Sequence, residues 1–94
     1  SCNIEYALSY VVSDESLTVS ERDNVLENIH DQMQEYVDNA NEEFLASSEA
    51  GSTIEEQLQS IINENLIEGM SVSGTLTDVS ILDDNGEYQT IFPE

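Results

Sequence analysis

Residues 18–44, TVSERDNVLENIHDQMQEYVDNANEEF, carry the strongest pattern in this chain and decide how its fold is interpreted. Thr18 and Glu21 have the spacing of a capping box, in which the hydroxyl and the carboxylate each bind a free backbone N–H. Apolar side chains then recur every three or four residues, which is typical of an amphipathic helix; they are Val25, Leu26, Ile29, Met33, Tyr36, Val37, Ala40 and Phe44. The pattern predicts a helix from about residue 19 to about residue 46.

The opposite side of this predicted helix carries carboxylates. At about 100° per residue, five of them fall in an arc about 80° wide, centred about 180° from the apolar arc; they are Glu27, Asp31, Glu35, Asp38 and Glu42. Spacings of four bring like charges together in three pairs, which cost on the order of 1 kcal/mol in total. We call these five residues the acidic stripe and predict that it is a partner-binding surface, with single charges about 6 Å apart along a rod, similar to one strand of a nucleic-acid backbone.

The flanking segments indicate an α+β fold. Residues 4–12 alternate apolar and polar side chains, as a half-buried strand does. A second apolar stripe and a possible Ser52–Glu55 capping box predict a helix over about residues 53–68, with Gly69 at the position after its end. Val72 and Leu76 are out of phase with the apolar residues that follow, and a bulge or kink near residues 77–78, or a strand break, would reconcile the two sets.

Asn85-Gly86 predicts a type I′ hairpin near the end of the chain. Folding the chain across this turn opposes three residue pairs: Tyr88 with Asp83, Thr90 with Ile81, and Phe92 with Val79. Val79, Ile81, Tyr88 and Phe92 would then share the core face. The order β-α-α-β-β predicts a single domain over residues 1–94, a three-stranded antiparallel sheet with two helices packed on one face.

The charge balance narrows the kind of partner. The 94 residues include 21 Asp and Glu, one arginine and no lysine, a net charge of −20, whereas a small soluble domain usually carries about 2 to 8 charges. Self-repulsion of this size disfavours a compact state, so we expect the negative charge to serve the binding of a strongly basic partner.

No apolar run approaches the roughly 20 residues of a membrane span, and Cys2 has no second cysteine to pair with. We therefore expect a cytoplasmic protein with no membrane partner; the alternative is that Cys2 is the acylated residue of a processed lipoprotein.

The sequence offers little for catalysis or metal binding. His30 is the one histidine and lies at the edge of the apolar arc, which favours a partly buried packing role. A zinc site lacks ligands, and the acidic turn at residues 83–87 does not fit a calcium-binding EF-hand loop. Glycine-rich phosphate loops and basic patches are absent. We therefore predict no enzyme activity, no catalytic residue, no metal, no cofactor and no direct nucleic-acid binding.

In size, acidity and single-domain compactness the chain resembles the small DNA-mimic inhibitors encoded by phages, including anti-CRISPR proteins. The resemblance covers the whole chain through composition and rests on no motif, so it assigns no residue roles. It implies a basic nucleic-acid-binding partner, a nuclease or CRISPR effector complex, and the bacterial host cytoplasm as location; we expect the free protein to be a monomer. The alternatives are an immunity protein for a nuclease toxin, a structural or accessory domain whose acidity reflects solubility or salt adaptation, and a weak cation-binding module.

Overall fold

In a computed structural model, which describes residues 2–40, 45 and 47–93, three strands form one antiparallel sheet in the order β1-β2-β3. The elements along the chain are β1 (Cys2–Val12), α1 (Val19–Asn39), α2 (Ala50–Asn65), β2 (Met70–Leu82) and β3 (Tyr88–Phe92). The predicted α+β class and the order β-α-α-β-β are thereby confirmed for the described residues.

The start of α1 is as predicted and its end is not. Thr18 accepts a hydrogen bond from the Glu21 N–H at 3.1 Å, and the Glu21 carboxylate accepts one from the Thr18 N–H at 3.4 Å. The helix ends at Asn39 because Ala40 is extended, so the predicted end near residue 46 is wrong. The Asn39 side chain donates to the Glu35 carbonyl at 2.9 Å, and no basic residue in the last turn balances the negative end of the helix dipole.

We expect Thr18→Ala to lower the free energy of unfolding by about 1 kcal/mol, since it leaves the first turn without its cap. Ser52→Ala is the matched control, because its hydroxyl makes no cap and donates instead to the Glu49 carbonyl at 3.1 Å. Urea denaturation of both variants measures the difference. Equal losses in the two variants would contradict the assignment of Thr18 as a cap.

The second helix begins earlier than its sequence suggests. It starts at Ala50, its N-cap Glu49 makes no side-chain capping bond, and the predicted Ser52–Glu55 capping box is therefore wrong. Packing explains the early start: Gly51 is buried, and a Cβ there would lie 2.6 Å from the Phe92 ring. Only a residue without a side chain allows this turn of helix to meet β3.

The helix also ends earlier than predicted, at Asn65, with an extended Leu66 after it. Gly69 is therefore not the residue that follows the helix end, and that prediction is wrong. Gly69 has a φ of +87° and lies in the turn before β2. Its carbonyl accepts hydrogen bonds from the N–H groups of Ser13 (2.8 Å) and Asp14 (3.2 Å), which ties the end of β1 to the start of β2.

Of the alternatives predicted near residues 77–78, the structure has the bulge in β2. Glu5 pairs with Asp78 and Tyr6 with Leu76, so Thr77 is an extra residue on β2. Because the extra residue reverses the alternation of side chains, both Leu76 and Val79 reach the core, where they are 4% and 0% exposed.

The hairpin between β2 and β3 has a wider loop than the predicted type I′ turn. The Asp83 N–H donates to the Glu87 carbonyl at 2.8 Å and the Gly86 N–H to the Asp83 carbonyl at 3.1 Å. Asn85 does not have the positive φ that type I′ requires, so the predicted turn type is wrong. The loop follows the three-residue pattern, in which a glycine at positive φ closes the turn.

The wider loop shifts most of the pairing by one residue. Val79 pairs with Phe92 as predicted, but Tyr88 pairs with Leu82 and Thr90 with Ser80. An irregularity on β3 between Thr90 and Phe92 restores the predicted pairing at the far end. Tyr88 is 57% exposed, so its predicted place on the core face is wrong.

Both helices contribute to the core on one face of the sheet. Among the described residues, α1 supplies Val25, Ile29 and Met33 to this cluster. Helix α2 covers the sheet centre, where a Cβ on Gly74 of β2 would lie 2.7 Å from the Ile62 side chain and 3.1 Å from that of Leu58. The outer surface of α1 therefore faces away from the sheet.

Candidate partner-binding surface

Four members of the acidic stripe lie on α1 and are exposed: Glu27, Asp31, Glu35 and Asp38. The fifth, Glu42, lies outside the described residues. At 1.5 Å per residue, the four described members extend over about 16 Å of the helix. Their positions follow from the helical periodicity of α1 alone.

Two side-chain contacts on the flanks of α1 establish that the stripe faces outward. Gln32 and Asn65 of α2 exchange amide hydrogen bonds at 3.2 and 3.1 Å. On the other flank, the Tyr6 hydroxyl of β1 lies 2.6 Å from the His30 Nδ1 atom. These two flank positions of α1 are about 160° apart around its axis, with the buried residues of α1 between them. The stripe occupies the remaining, solvent-facing side.

The described part of the chain provides little to neutralise the stripe. The one arginine, Arg22, lies in the first turns of α1 with its guanidinium 5.3 Å from the Tyr10 ring centre and its Nε 3.6 Å from an Asp23 oxygen. Among the described residues, one hydrogen bond to a stripe carboxylate is present, from Gln34 Nε2 to Asp38 at 2.8 Å. The charges of the stripe are therefore directed to solvent.

Charge reversal at the middle of the stripe is expected to stabilise the protein. Asp31→Lys converts two like-charged pairs, with Glu27 and Glu35, into opposite-charged pairs at the same spacing, which raises the free energy of unfolding by about 1 kcal/mol. Glu68→Lys, in the exposed turn after α2, changes the net charge equally and is the control. Thermal and urea denaturation measure both variants. An equal gain for Glu68→Lys would mean that only the total charge matters.

The second helix shows that the stripe is not a general property of the surface. The four positions directly opposite its buried side carry one acid, Glu56, and the polar residues Ser52, Ser60 and Asn63. Glu55 and Glu64 are exposed on its flanks. The outward side of α1 therefore carries four carboxylates where that of α2 carries one, and α2 provides sites for matched control substitutions.

The whole molecule is a narrow rod, with extents of 51 × 19 × 18 Å. The described residues hold 18 of the 21 carboxylates and Arg22, a net charge of −17. Dividing the 51 Å length by 17 charges gives about one charge per 3 Å. This spacing lies between the values for duplex DNA, about 1.7 Å, and for one strand, about 3.4 Å.

In the acidic turn at residues 83–87, the carboxylate of Asp83 stabilises the loop. Asp83 accepts hydrogen bonds from the N–H groups of Glu87 (3.0 Å) and Asn85 (2.9 Å) and from Gln89 Nε2 (2.8 Å). The bond from the Glu87 backbone, followed by that from Gln89, lowers the pKa of Asp83. In the part of the chain that the structure describes, no group of three or more His, Cys, Asp or Glu side chains could hold a metal ion.

His30 is exposed, so its predicted partial burial is wrong, although it packs against Tyr6. Its ring centre lies 5.4 Å from that of Tyr6, and burial raises the pKa of the Tyr6 hydroxyl. The pair fixes one flank of α1 against β1.

A groove of about 590 Å³ between α1 and α2 was not predicted. We call it the interhelical groove. Its floor is formed by Tyr36, Ala40 and Ile61, and its lining includes Glu35 of the stripe and Glu64 of α2. The sequence contains no local signal for it, because each helix supplies one side.

Within residues 2–40, 45 and 47–93, no helix combines the length and apolar character needed to cross a membrane. Comparisons of the chain with protein-family models, curated proteins and solved structures found no match.

Proposed function

We propose that this protein is an interaction protein that mimics nucleic-acid phosphate charge and occupies the nucleic-acid-binding surface of a basic protein. The observation that supports the proposal is the outward-facing stripe of four exposed carboxylates on α1, which no lysine of the chain can neutralise. The target is a nuclease or CRISPR effector complex in the bacterial cytoplasm, and the producer is a phage. The protein acts as a monomer by blocking a surface, with no catalytic step.

Two physical consequences support this proposal. Proteins that bind nucleic acid neutralise phosphates with Lys and Arg, and the same side chains can bind a line of carboxylates. The like-charged pairs on α1 cost stability, and a cost of this kind is offset when a basic surface binds them. Association should be steered by long-range attraction and weaken as salt shortens the Debye length from about 10 Å at 0.1 M.

The test compares two quadruple variants of equal net charge. The stripe variant is Glu27→Lys, Asp31→Lys, Glu35→Lys and Asp38→Lys; the control variant is Glu15→Lys, Glu56→Lys, Glu68→Lys and Glu87→Lys, all exposed and away from the stripe. Each set changes the net charge from −20 to −12. Basic proteins captured from a bacterial lysate by the wild-type protein are then assayed for displacement of a labelled oligonucleotide.

We expect the stripe variant to compete about 100-fold more weakly than wild type, equivalent to roughly 2.7 kcal/mol, and the control to stay within about threefold. Circular dichroism verifies that both variants are folded. Equal losses in both would show that bulk acidity, not the stripe, drives binding. Competition by the stripe variant at wild-type strength would reject the proposal and favour an acidic accessory domain.

A further inference from the structure

We infer that the interhelical groove is a recognition site for one arginine side chain of the basic partner. This inference rests on the proposed function, because it names the chemistry that the partner must present beside the stripe. It assigns α2 a role in binding that the stripe alone does not. Glu35 belongs to both surfaces and joins them.

The groove is formed by two helices that run in opposite directions. Arg22 lies near Tyr10 and His30 near Tyr6, so α1 runs from the end of β1 towards its start. Helix α2 runs the other way. Gly51, near its start, lies beside Phe92, and Leu58 and Ile62, further along it, lie beside Gly74. The paired amides of Gln32 and Asn65 join α1 to the last turn of α2. This contact holds the two sides of the groove in place.

The lining combines an apolar floor with carboxylates from both helices. Ile61 is 3% exposed, and Tyr36 is half-buried beside it. Glu35 on α1 and Glu64 on α2 are both exposed. A ligand with an apolar stem and a cationic head fits this combination, because the stem can cover the floor while the head meets the carboxylates.

Among the described residues, no lysine or arginine side chain reaches the groove. The chain has no lysine, and Arg22 is held at the other end of α1, against Tyr10 and Asp23. A cationic side chain that pairs with Glu35 and Glu64 would therefore come from another molecule. Under the proposed function, that molecule is the basic partner.

Arginine suits the groove better than lysine. The planar guanidinium can bind carboxylates in a bidentate manner and stack on an aromatic ring, whereas an ammonium is a compact, strongly hydrated charge. Tyr36 supplies the ring, and burial raises the pKa of its hydroxyl, so the ring stays neutral at pH 7. The side-chain amide oxygen of Gln57, also in the lining, offers a further acceptor for the guanidinium N–H groups.

The test uses two amidated peptides, hexa-arginine and hexa-lysine, titrated into the full chain at low salt and followed by NMR. We expect both peptides to shift the resonances of the stripe, since both carry the same charge. Only hexa-arginine should also shift the side-chain resonances of Tyr36 and Ile61, and it should bind about fivefold more tightly. Equal affinities, or groove resonances that do not move, would overturn the inference.

Three variants localise the preference. Tyr36→Leu keeps apolar packing but removes the aromatic ring, and Glu64→Gln removes a carboxylate that is not part of the stripe; each should reduce the arginine preference to less than about twofold. Glu56→Gln, exposed on the outward side of α2, should leave it unchanged. A preference that survives both groove variants, with the fold verified by circular dichroism, rejects the groove as its source.

The two proposals can fail separately. If the stripe variant loses competition with the oligonucleotide but wild type binds both peptides equally, the arginine site is wrong and the proposed function stands. If hexa-arginine is preferred through Tyr36 and Glu64 but the stripe variant competes normally, the mimicry is wrong and the arginine site stands.

Discussion

Leu58→Ala is expected to lower the free energy of unfolding by about 3 to 4 kcal/mol, because it empties part of the core between α2 and the sheet. Leu58 is 1% exposed in the middle of α2 and lies over Gly74 of the central strand. Truncation removes buried methyl groups and leaves a cavity that helix and sheet cannot close without moving. A domain of this size is stable by about 5 to 14 kcal/mol, so the loss is a large share of the total.

The control for this prediction is Leu66→Ala, because Leu66 is 40% exposed just after α2 and should cost less than about 1 kcal/mol. Urea denaturation at pH 7 measures both variants. The double variant Leu58→Ala, Gly74→Ala adds a further check: the new methyl group points towards the space that Leu58 vacates, so Gly74→Ala should cost less there than in wild type. Additive losses would show that the cost of Gly74→Ala comes from Ile62, the nearer side chain, and not from Leu58.

Gly69→Ala is expected to lower the free energy of unfolding by about 2 to 3 kcal/mol, and two causes act together. The φ of +87° is strained for any residue with a Cβ, and that Cβ would lie 2.4 Å from the Asp14 Cβ atom. If the backbone moved to relieve the contact with Asp14, the Gly69 carbonyl would move away from the two N–H groups that donate hydrogen bonds to it. The junction between the end of β1 and the start of β2 would therefore loosen.

Gly86→Ala separates these two causes. Gly86 has a similar φ of +79°, but a Cβ there meets nothing within 4 Å. Gly86→Ala should therefore lower the free energy of unfolding only through the strained φ, by about 1 kcal/mol. The difference between the two alanine variants in urea denaturation measures the contact with Asp14, and a difference close to zero would mean that no such contact exists in solution.

Local sequence patterns predicted those parts of the fold that depend on near neighbours. The capping box at Thr18 and Glu21 satisfies backbone groups within one turn, so the two residue types are sufficient to identify it. The bulge at Thr77 was visible as a change of phase in the apolar alternation. The pairing of Val79 with Phe92 was also correct.

The errors lie where distant contacts outweigh local preference. Helix α2 starts at Ala50 because Gly51 packs against Phe92, a contact that no nearby residue signals. The hairpin loop is wider than Asn85-Gly86 suggests because the Asp83 carboxylate accepts three hydrogen bonds from N–H groups of the loop and of β3. The end of α1 was placed too late because apolar spacing continues past Asn39, while the backbone becomes extended at Ala40.

The sequence by itself determined the acidic stripe. Net charge is a property of composition, and helical periodicity places Glu27, Asp31, Glu35 and Asp38 on one side of α1 whatever the rest of the chain does. Only the tertiary structure decided that this side points to solvent and that Glu35 faces a groove shared with Glu64. The physical reason is that an amphipathic pattern specifies which face of a helix is buried, but not which element lies on each flank. That choice depends on packing between residues far apart in sequence, and in this protein it brings two carboxylates and a tyrosine ring to one groove.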